Sequence, residues 1–302
     1  MRIGKYKDWA KGYYHLSTDG RWDGTIFHND ALFAYGMILV GLLTLLYPVK
    51  IYAFVLMDNH IHIILSGTGQ ACTKAFHYLV RKLNIRLREN GFPPLPDNYG
   101  FKLVPIENQE QLKNEILYLD RNPYEKQLCI PGGYPWGTAG IHHSRFLRLF
   151  KWTKASEMSK RELERLYGSR VPIPGDWEFN TELGLNPASF VCNDKFKVLF
   201  PTPKSYESRL AKDYEAFVKV AEKLEEEIVF SPEEIDGILN NLLRVHFSAR
   251  KLVHLDNGER ARLAVMLSTD YHIPSTQIAD ALHIQEYLVK QFLGSKDFGK
   301  RK

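Results

Sequence analysis

Two histidines, a tyrosine and an asparagine carry the chemistry of this 302-residue sequence. His60 and His62 stand two apart within Val55-Leu56-Met57-Asp58-Asn59-His60-Ile61-His62-Ile63-Ile64-Leu65, an apolar and β-branched run. Side chains alternate along a strand, so residues two apart share a face and can hold a divalent cation between them. Asp58 falls on that same face by alternation, as a third ligand, an acceptor that orients an imidazole, or a solvated strand-entry residue. Tyr118 and Asn122 follow four apart, the spacing of one helix face. A cation fixed by imidazoles and an amide orients a scissile phosphate and offsets its charge, while a phenol of ordinary pKa about 10 needs that metal or a base to become a nucleophile. The bland alternatives are two half-buried histidines with hydrogen-bond partners, and a tyrosine packed beside an asparagine helix cap.

The elements that must place these groups are legible from periodicity. Expected are a strand at Tyr13–Thr18, a helix at Ala31–Tyr47, paired strands from Lys50 to Ser66, a helix at Thr73–Asn90, a strand at Gly100–Pro105, and a helix from Glu107 to Asn122 stopped by Pro123. That order predicts an α+β sandwich, an antiparallel sheet with helices on one face. Ala31 to Val49 carries no charge and reaches the lower edge of a membrane span, but Gly36, Gly41 and Pro48 favour a buried helix.

Several of these segments together resemble one family, the single-tyrosine HUH transposases, and within it the REP-associated tyrosine transposases. The resemblance runs through Tyr13-Tyr14-His15-Leu16-Ser17, Ile51-Tyr52-Ala53-Phe54-Val55-Leu56-Met57, His60-Ile61-His62, Leu117-Tyr118-Leu119-Asp120-Arg121-Asn122-Pro123 and Tyr134-Pro135-Trp136, roughly the first half of the chain. It implies a ferredoxin-like fold, His60 and His62 as the metal pair, Asn122 as a further metal-holding residue, and Tyr118 as nucleophile. The implied activity is Mg²⁺- or Mn²⁺-dependent cleavage and rejoining of single-stranded or hairpin DNA through a 5′-phosphotyrosine. Asp58 stands where the family usually has proline, and Gly137-Thr138 where it usually has serines. Two rivals stand beside that reading: a domesticated hairpin-DNA-binding regulator without transposition, and a phosphodiesterase using water with Tyr118 only structural.

Charge adds a candidate DNA surface. The net charge is only +5, so a nucleic-acid face must come from local clustering. Lys74, Arg81, Lys82, Arg86 and Arg88 interleave with Phe76, Leu79, Val80, Leu83 and Leu87, giving a basic face opposite an apolar one, which is either a phosphate-contacting or a solvated helix face. Tyr134 and Trp136 suit stacking on an unpaired base or closure of the core.

The domains expected are 1–150 for the nuclease, 151–204 as a linker or irregular region punctuated by prolines, and 205–302 as a helical domain. Ser231-Pro232-Glu233-Glu234 is a helix start. Near the end, Glu259–Ser268, a helix capped by Ser275 and Gln285–Leu293 resemble a helix-turn-helix, with Gln285, Lys290 and Gln291 reaching the duplex and Glu286 opposing phosphate. Cys72, Cys129 and Cys192 lack any paired spacing and suit a reducing cytoplasm, and no cleavable leader precedes the first strand. Beyond DNA the expected partner is a second copy of the chain, as a homodimer, and no membrane.

Overall fold

The computed structural model describes residues 11–18, 20, 22–125, 132–142, 146–168, 170–210, 213–226, 230–248 and 251–294. Cys129, Glu227 and the segment before Lys11, on which the leader expectation rests, lie outside them. The chain divides into two compact units, Met1–Glu207 and Ser208–Lys302.

The first unit opens with β1 (Lys11–Thr18), α1 (Asp30–Leu46), β2 (Lys50–Leu56), β3 (Ile61–Thr68), α2 (Gly69–Glu89), β4 (Phe101–Ile106) and α3 (Gln109–Glu125). The four strands form one antiparallel sheet in the order β2-β3-β1-β4. That βαββαβ order with two central, non-consecutive strands is the expected ferredoxin-like arrangement. Register assigns the faces. Ser17 opposes His62 and His15 opposes Ile64, so His15, Ser17 and His62 share one face, while Leu16, Ile63 and Leu65 point to the other.

The two crossover helices cover the second face. Gly36 of α1 comes so close to Leu56 that a Cβ there would lie 2.8 Å from its methyl group, and Phe76 of α2 packs on Phe101 with ring centroids 4.2 Å apart. On its far side Gly41 abuts Leu185, which explains why α1 is apolar all round: it is enclosed by the sheet and by a later segment. Asn29 caps it, accepting from the Leu32 N–H at 3.0 Å. Among the described residues no helix is long and apolar enough to cross a membrane. The third helix, α3, takes the opposite, histidine-bearing face, since Glu115 bonds His15. It also runs through Pro123 to Glu125, beyond the stop expected at Asn122.

The segment expected as a linker is folded structure of this unit. It contains β5 (Thr153–Lys154), α4 (Lys160–Tyr167), β6 (Glu178–Asn180), β7 (Gly184–Leu185) and α5 (Asn193–Leu199). Strands β5, β6 and β7 form a small antiparallel sheet, Cys192 N–H donates to Ile51 O at 2.8 Å, and Phe190 packs on Phe54. Periodicity missed it because its elements are two to eight residues long, too short to show a repeat. The boundary falls inside α6 (Pro203–Leu210).

The second unit is helical: α7 (Tyr214–Leu224), α8 (Pro232–His246), α9 (Asn257–Tyr271), α10 (Ser275–Leu282) and α11 (Glu286–Gly294). Ser231 caps α8 in a reciprocal box with Glu234, and Asp256 does the same for α9 with Glu259. Helices α9, α10 and α11 contact one another around Ala264, Leu267, Ile278, Leu282 and Val289. Ser275 is not the cap of α10; Pro274 holds that position, and the Ser275 hydroxyl donates to Glu286 at 2.8 Å.

Candidate active site

The hairpin between β2 and β3 places the two histidines. Met57 N–H donates to His60 O at 2.9 Å, closing a turn over Met57–His60, and β3 begins at Ile61. His60 therefore sits at the turn and His62 on the strand, with ring centroids 4.8 Å apart and planes at 89°. Alternation does not extend to Asp58. It lies exposed in the turn, and its carbonyl accepts from the N–H groups of Ile26 and Phe27 at 2.7 and 3.0 Å. Its backbone thus ties the turn to the chain before α1, and no group of three or more His, Cys, Asp or Glu that could hold a metal occurs among the described residues.

Asn59 orients the first imidazole. Its amide N–H₂ donates to Gly20 O at 3.0 Å and to Trp22 O at 2.7 Å, which leaves Oδ1 as acceptor for His60 Nδ1 at 2.6 Å. With its proton on Nδ1, His60 carries its lone pair on Nε2.

From the other side α3 delivers a polar stripe. Glu115, Tyr118 and Asn122 are spaced three and four apart and share the face that meets the sheet. Glu115 Oε2 lies 2.7 Å from His15 Nδ1, His15 Nε2 lies 3.1 Å from His62 Nδ1, and His62 Nε2 lies 3.4 Å from Asn122 Nδ2. Gln111, one turn before Glu115, donates to Glu115 Oε1 at 3.2 Å. The Tyr118 ring stands edge-on to His62, centroids 5.9 Å apart, and 6.4 Å from His15.

So the four expected residues His60, His62, Tyr118 and Asn122 are brought to one face of the sheet, all buried, with Tyr118 at 1% exposure. Sequence reasoning left out His15, Glu115 and Asn59. His15 lies two residues before Ser17 on the strand face that carries His62, and Glu115 sits three before Tyr118, so strand and helix spacing together would have found both. Two imidazoles suit metals such as Zn²⁺ and an amide oxygen suits Mg²⁺ or Mn²⁺. The Asn122 atom beside His62 is the amide nitrogen, so its oxygen would face a cation only with the amide turned over, and the carboxylate of Glu115 is committed to His15.

The basic helix is placed elsewhere. Because α2 lies on the sheet face opposite the histidines, its side chains do not border their site. Lys74, Arg81 and Arg88 are exposed, whereas Lys82 Nζ donates to Gly168 O at 3.0 Å and Arg86 lies 4.3 Å over the Tyr35 ring and 3.4 Å from Glu89. Burial pushes the Tyr35 phenol up to about 12, so Arg86 meets a neutral ring. Tyr134 and Trp136 are buried: the Tyr134 hydroxyl donates to Leu56 O at 2.8 Å, and Trp136 stacks on Phe33 at 5.0 Å. Their role is core closure. Gly137 pairs antiparallel beside β2 at Val55, and a Cβ at 137 would stand 2.7 Å from Phe54 O, so a side chain there would clash.

In the second unit Gln285, Lys290 and Gln291 are exposed on α11. Lys290 pairs with Glu286 at 2.9 Å, so that acidic residue is partly neutralised by its own helix. The Lys290 ammonium, with the Ser275 hydroxyl, holds the Glu286 carboxyl below the usual range.

No protein-family model matches this sequence, and neither does any curated protein sequence. Among solved structures, that of a REP-associated tyrosine transposase bound to a REP hairpin is similar over 58% of this chain and 96% of that chain, at 13% identity and a TM-score of 0.39. A superposition so loose transfers no residue role.

Proposed function

We propose that the first unit is a metal-dependent single-strand DNA transesterase in which Tyr118 is the nucleophile and His60, His62 and Asn122 hold the cation. The observation that supports the proposal is that His60 from the hairpin turn and Tyr118 and Asn122 from α3 each lie beside the buried His62 ring. Tyr118 Oη attacks phosphorus and loses its proton, the bond from phosphorus to the 3′ oxygen breaks, and that oxygen takes up a proton. The products are a 5′-phosphotyrosine and a free 3′-hydroxyl, and attack by such a hydroxyl reverses the step without a nucleotide cofactor. A bound Mg²⁺ or Mn²⁺ supplies charge compensation at the phosphate. Asn59 and His15 fix the imidazole rings, and the dry surroundings strengthen each electrostatic contact. Exposed Lys74, Arg81 and Arg88 on α2, and Gln285, Lys290 and Gln291 on α11 as the recognition helix of a helix-turn-helix, are the DNA contacts we assign.

One observation favours a second reading. Tyr118 is buried, so DNA reaches it only when the elements over it part, and a tyrosine that never uncovers belongs to a hairpin-DNA-binding regulator that cuts nothing. A 5′-labelled and a 3′-labelled single-stranded hairpin, incubated with protein and Mg²⁺ or Mn²⁺ and run on a denaturing gel, distinguishes the two. The transesterase gives a covalent protein–DNA adduct in the wild type and none in Tyr118→Phe, and His60→Ala loses cleavage while keeping hairpin binding. Hairpin binding without any adduct selects the regulator. Cleavage that survives in Tyr118→Phe assigns the attack to water.

A further inference from the structure

Glu115, His15 and His62 form a buried line of polar contacts behind the site. We infer that Glu115 and His15 form a positioning dyad that holds His62 as its Nδ1–H tautomer, with the Nε2 lone pair turned toward Asn122. The inference rests on the functional reading above for what that lone pair would bind, but not for the tautomer itself.

The assignment follows from pairing every donor with an acceptor. A carboxylate only accepts, so Glu115 Oε2, 2.7 Å from His15 Nδ1, requires a proton on that nitrogen. With its one proton there, His15 offers Nε2 as an acceptor. The atom facing it at 3.1 Å, His62 Nδ1, must then be the donor. That leaves His62 Nε2 without a proton, and the group it faces, Asn122 Nδ2 at 3.4 Å, is a donor. With His15 singly protonated and the Asn122 amide as placed, every contact in the line is satisfied in this sense. The reverse order, His15 Nε2 donating to His62 Nδ1 and a His62 Nε2–H facing a turned-over Asn122, needs a second proton on His15 and is the outcome that an NMR spectrum would reveal. Asn59 does for His60 what His15 does for His62, accepting from its Nδ1. The dyad is wholly enclosed, His15 at 0% and Glu115 at 1% exposure, and Gln111 donates to the second carboxylate oxygen. A buried carboxylate is costly to keep unless it is hydrogen-bonded, and here both oxygens are engaged, one by His15 and one by Gln111.

Histidine-detected ¹H–¹⁵N NMR on the metal-free protein reads the tautomer directly. The expected spectrum gives His62 a protonated Nδ1 and an unprotonated Nε2. In His15→Phe the acceptor is lost, both His62 tautomers appear, and Mn²⁺ affinity followed by electron paramagnetic resonance falls about 10- to 100-fold, the usual cost of removing an outer partner of a ligating histidine. Glu115→Gln keeps an acceptor oxygen for His15 and is expected to retain the wild-type His62 signals. A protonated Nε2 on His62 in the wild type overturns the dyad, as does a His15→Phe protein with unchanged His62 shifts. Should His15→Phe fail to fold, His15→Gln, which can still accept from His62 Nδ1, must restore the wild-type signals. Separately, Mn²⁺ affinity that is indifferent to His60→Ala removes the metal from the functional proposal and leaves the NMR result to decide the dyad.

Discussion

Replacing Asn59 separates two jobs that the same side chain performs. Its amide donates to Gly20 O and Trp22 O and accepts from His60 Nδ1, three contacts between 2.6 and 3.0 Å. A net hydrogen bond contributes about 0.5–1.5 kcal/mol, and Asn59 is half-buried, so Asn59→Ala is expected to cost about 2–3 kcal/mol of stability. Loss of the acceptor frees His60 to rotate and change tautomer, so Mn²⁺ binding should weaken about 10- to 100-fold. Asn59→Asp tells the jobs apart. It keeps an oxygen for His60 Nδ1 but sets a carboxylate against two carbonyl oxygens, so it should lose at least as much stability as alanine while holding Mn²⁺ more tightly than alanine does. Thermal unfolding and an Mn²⁺ titration on the three proteins measure both quantities. Equal Mn²⁺ affinity in wild type and Asn59→Ala would refute the claim that Asn59 orients the ligand.

Four further outcomes follow from the packing. Gly184 has φ +74° and its added Cβ would lie 2.2 Å from Ala34 O, so Gly184→Ala should cost about 2–5 kcal/mol, combining left-handed strain with a backbone clash. Gly168→Ala, with φ +56° but only Tyr35 Oη at 3.8 Å, should cost about 1–2 kcal/mol, and a denaturant titration of both glycine variants measures the difference. The Tyr206 hydroxyl donates to Asp120 Oδ2 at 2.9 Å, and burial, then Asp120, push its phenol well above the ordinary value. Its contribution is therefore whole below the unfolded pKa of about 10 and falls by about 1.4 kcal/mol per pH unit above it, so Tyr206→Phe should lose about 1.5–3 kcal/mol at pH 7 yet show a shallower alkaline decline. At the turn after α10, His283 sits at φ 52°, and His283→Gly should stabilise the second unit by about 0.5–1 kcal/mol in thermal unfolding.

What the sequence by itself determined is the set of things that depend on near neighbours. A spacing of two put His60 beside His62, although His60 stands in the turn before the strand, helical spacing put Tyr118 and Asn122 on one face of α3, and the hydrophobic periods placed the starts of β1, α1, β2, α2, β4 and α3 to within four residues. Apolar content likewise identified α1 as a buried helix, because a run without charges can only lie inside something. Alternation failed at Asp58, where a turn rather than a strand carries the residue, and Pro123 did not stop its helix, which continues one turn more.

Only the tertiary structure decided which faces meet. Nothing in the spacing of Lys74 to Arg88 reveals that α2 lies across the sheet from the histidines, since the side on which a crossover helix packs is set by the path of the whole chain. Segment 151–204 is held by contacts with partners more than 100 residues away, such as Cys192 with Ile51 and Phe190 with Phe54, and local patterns do not record them. The same holds for Glu115 and His15, a hundred residues apart in sequence and 2.7 Å apart in space. A hydrogen bond needs its two atoms within about 3 Å, and only the folded sheet and helix bring them that close.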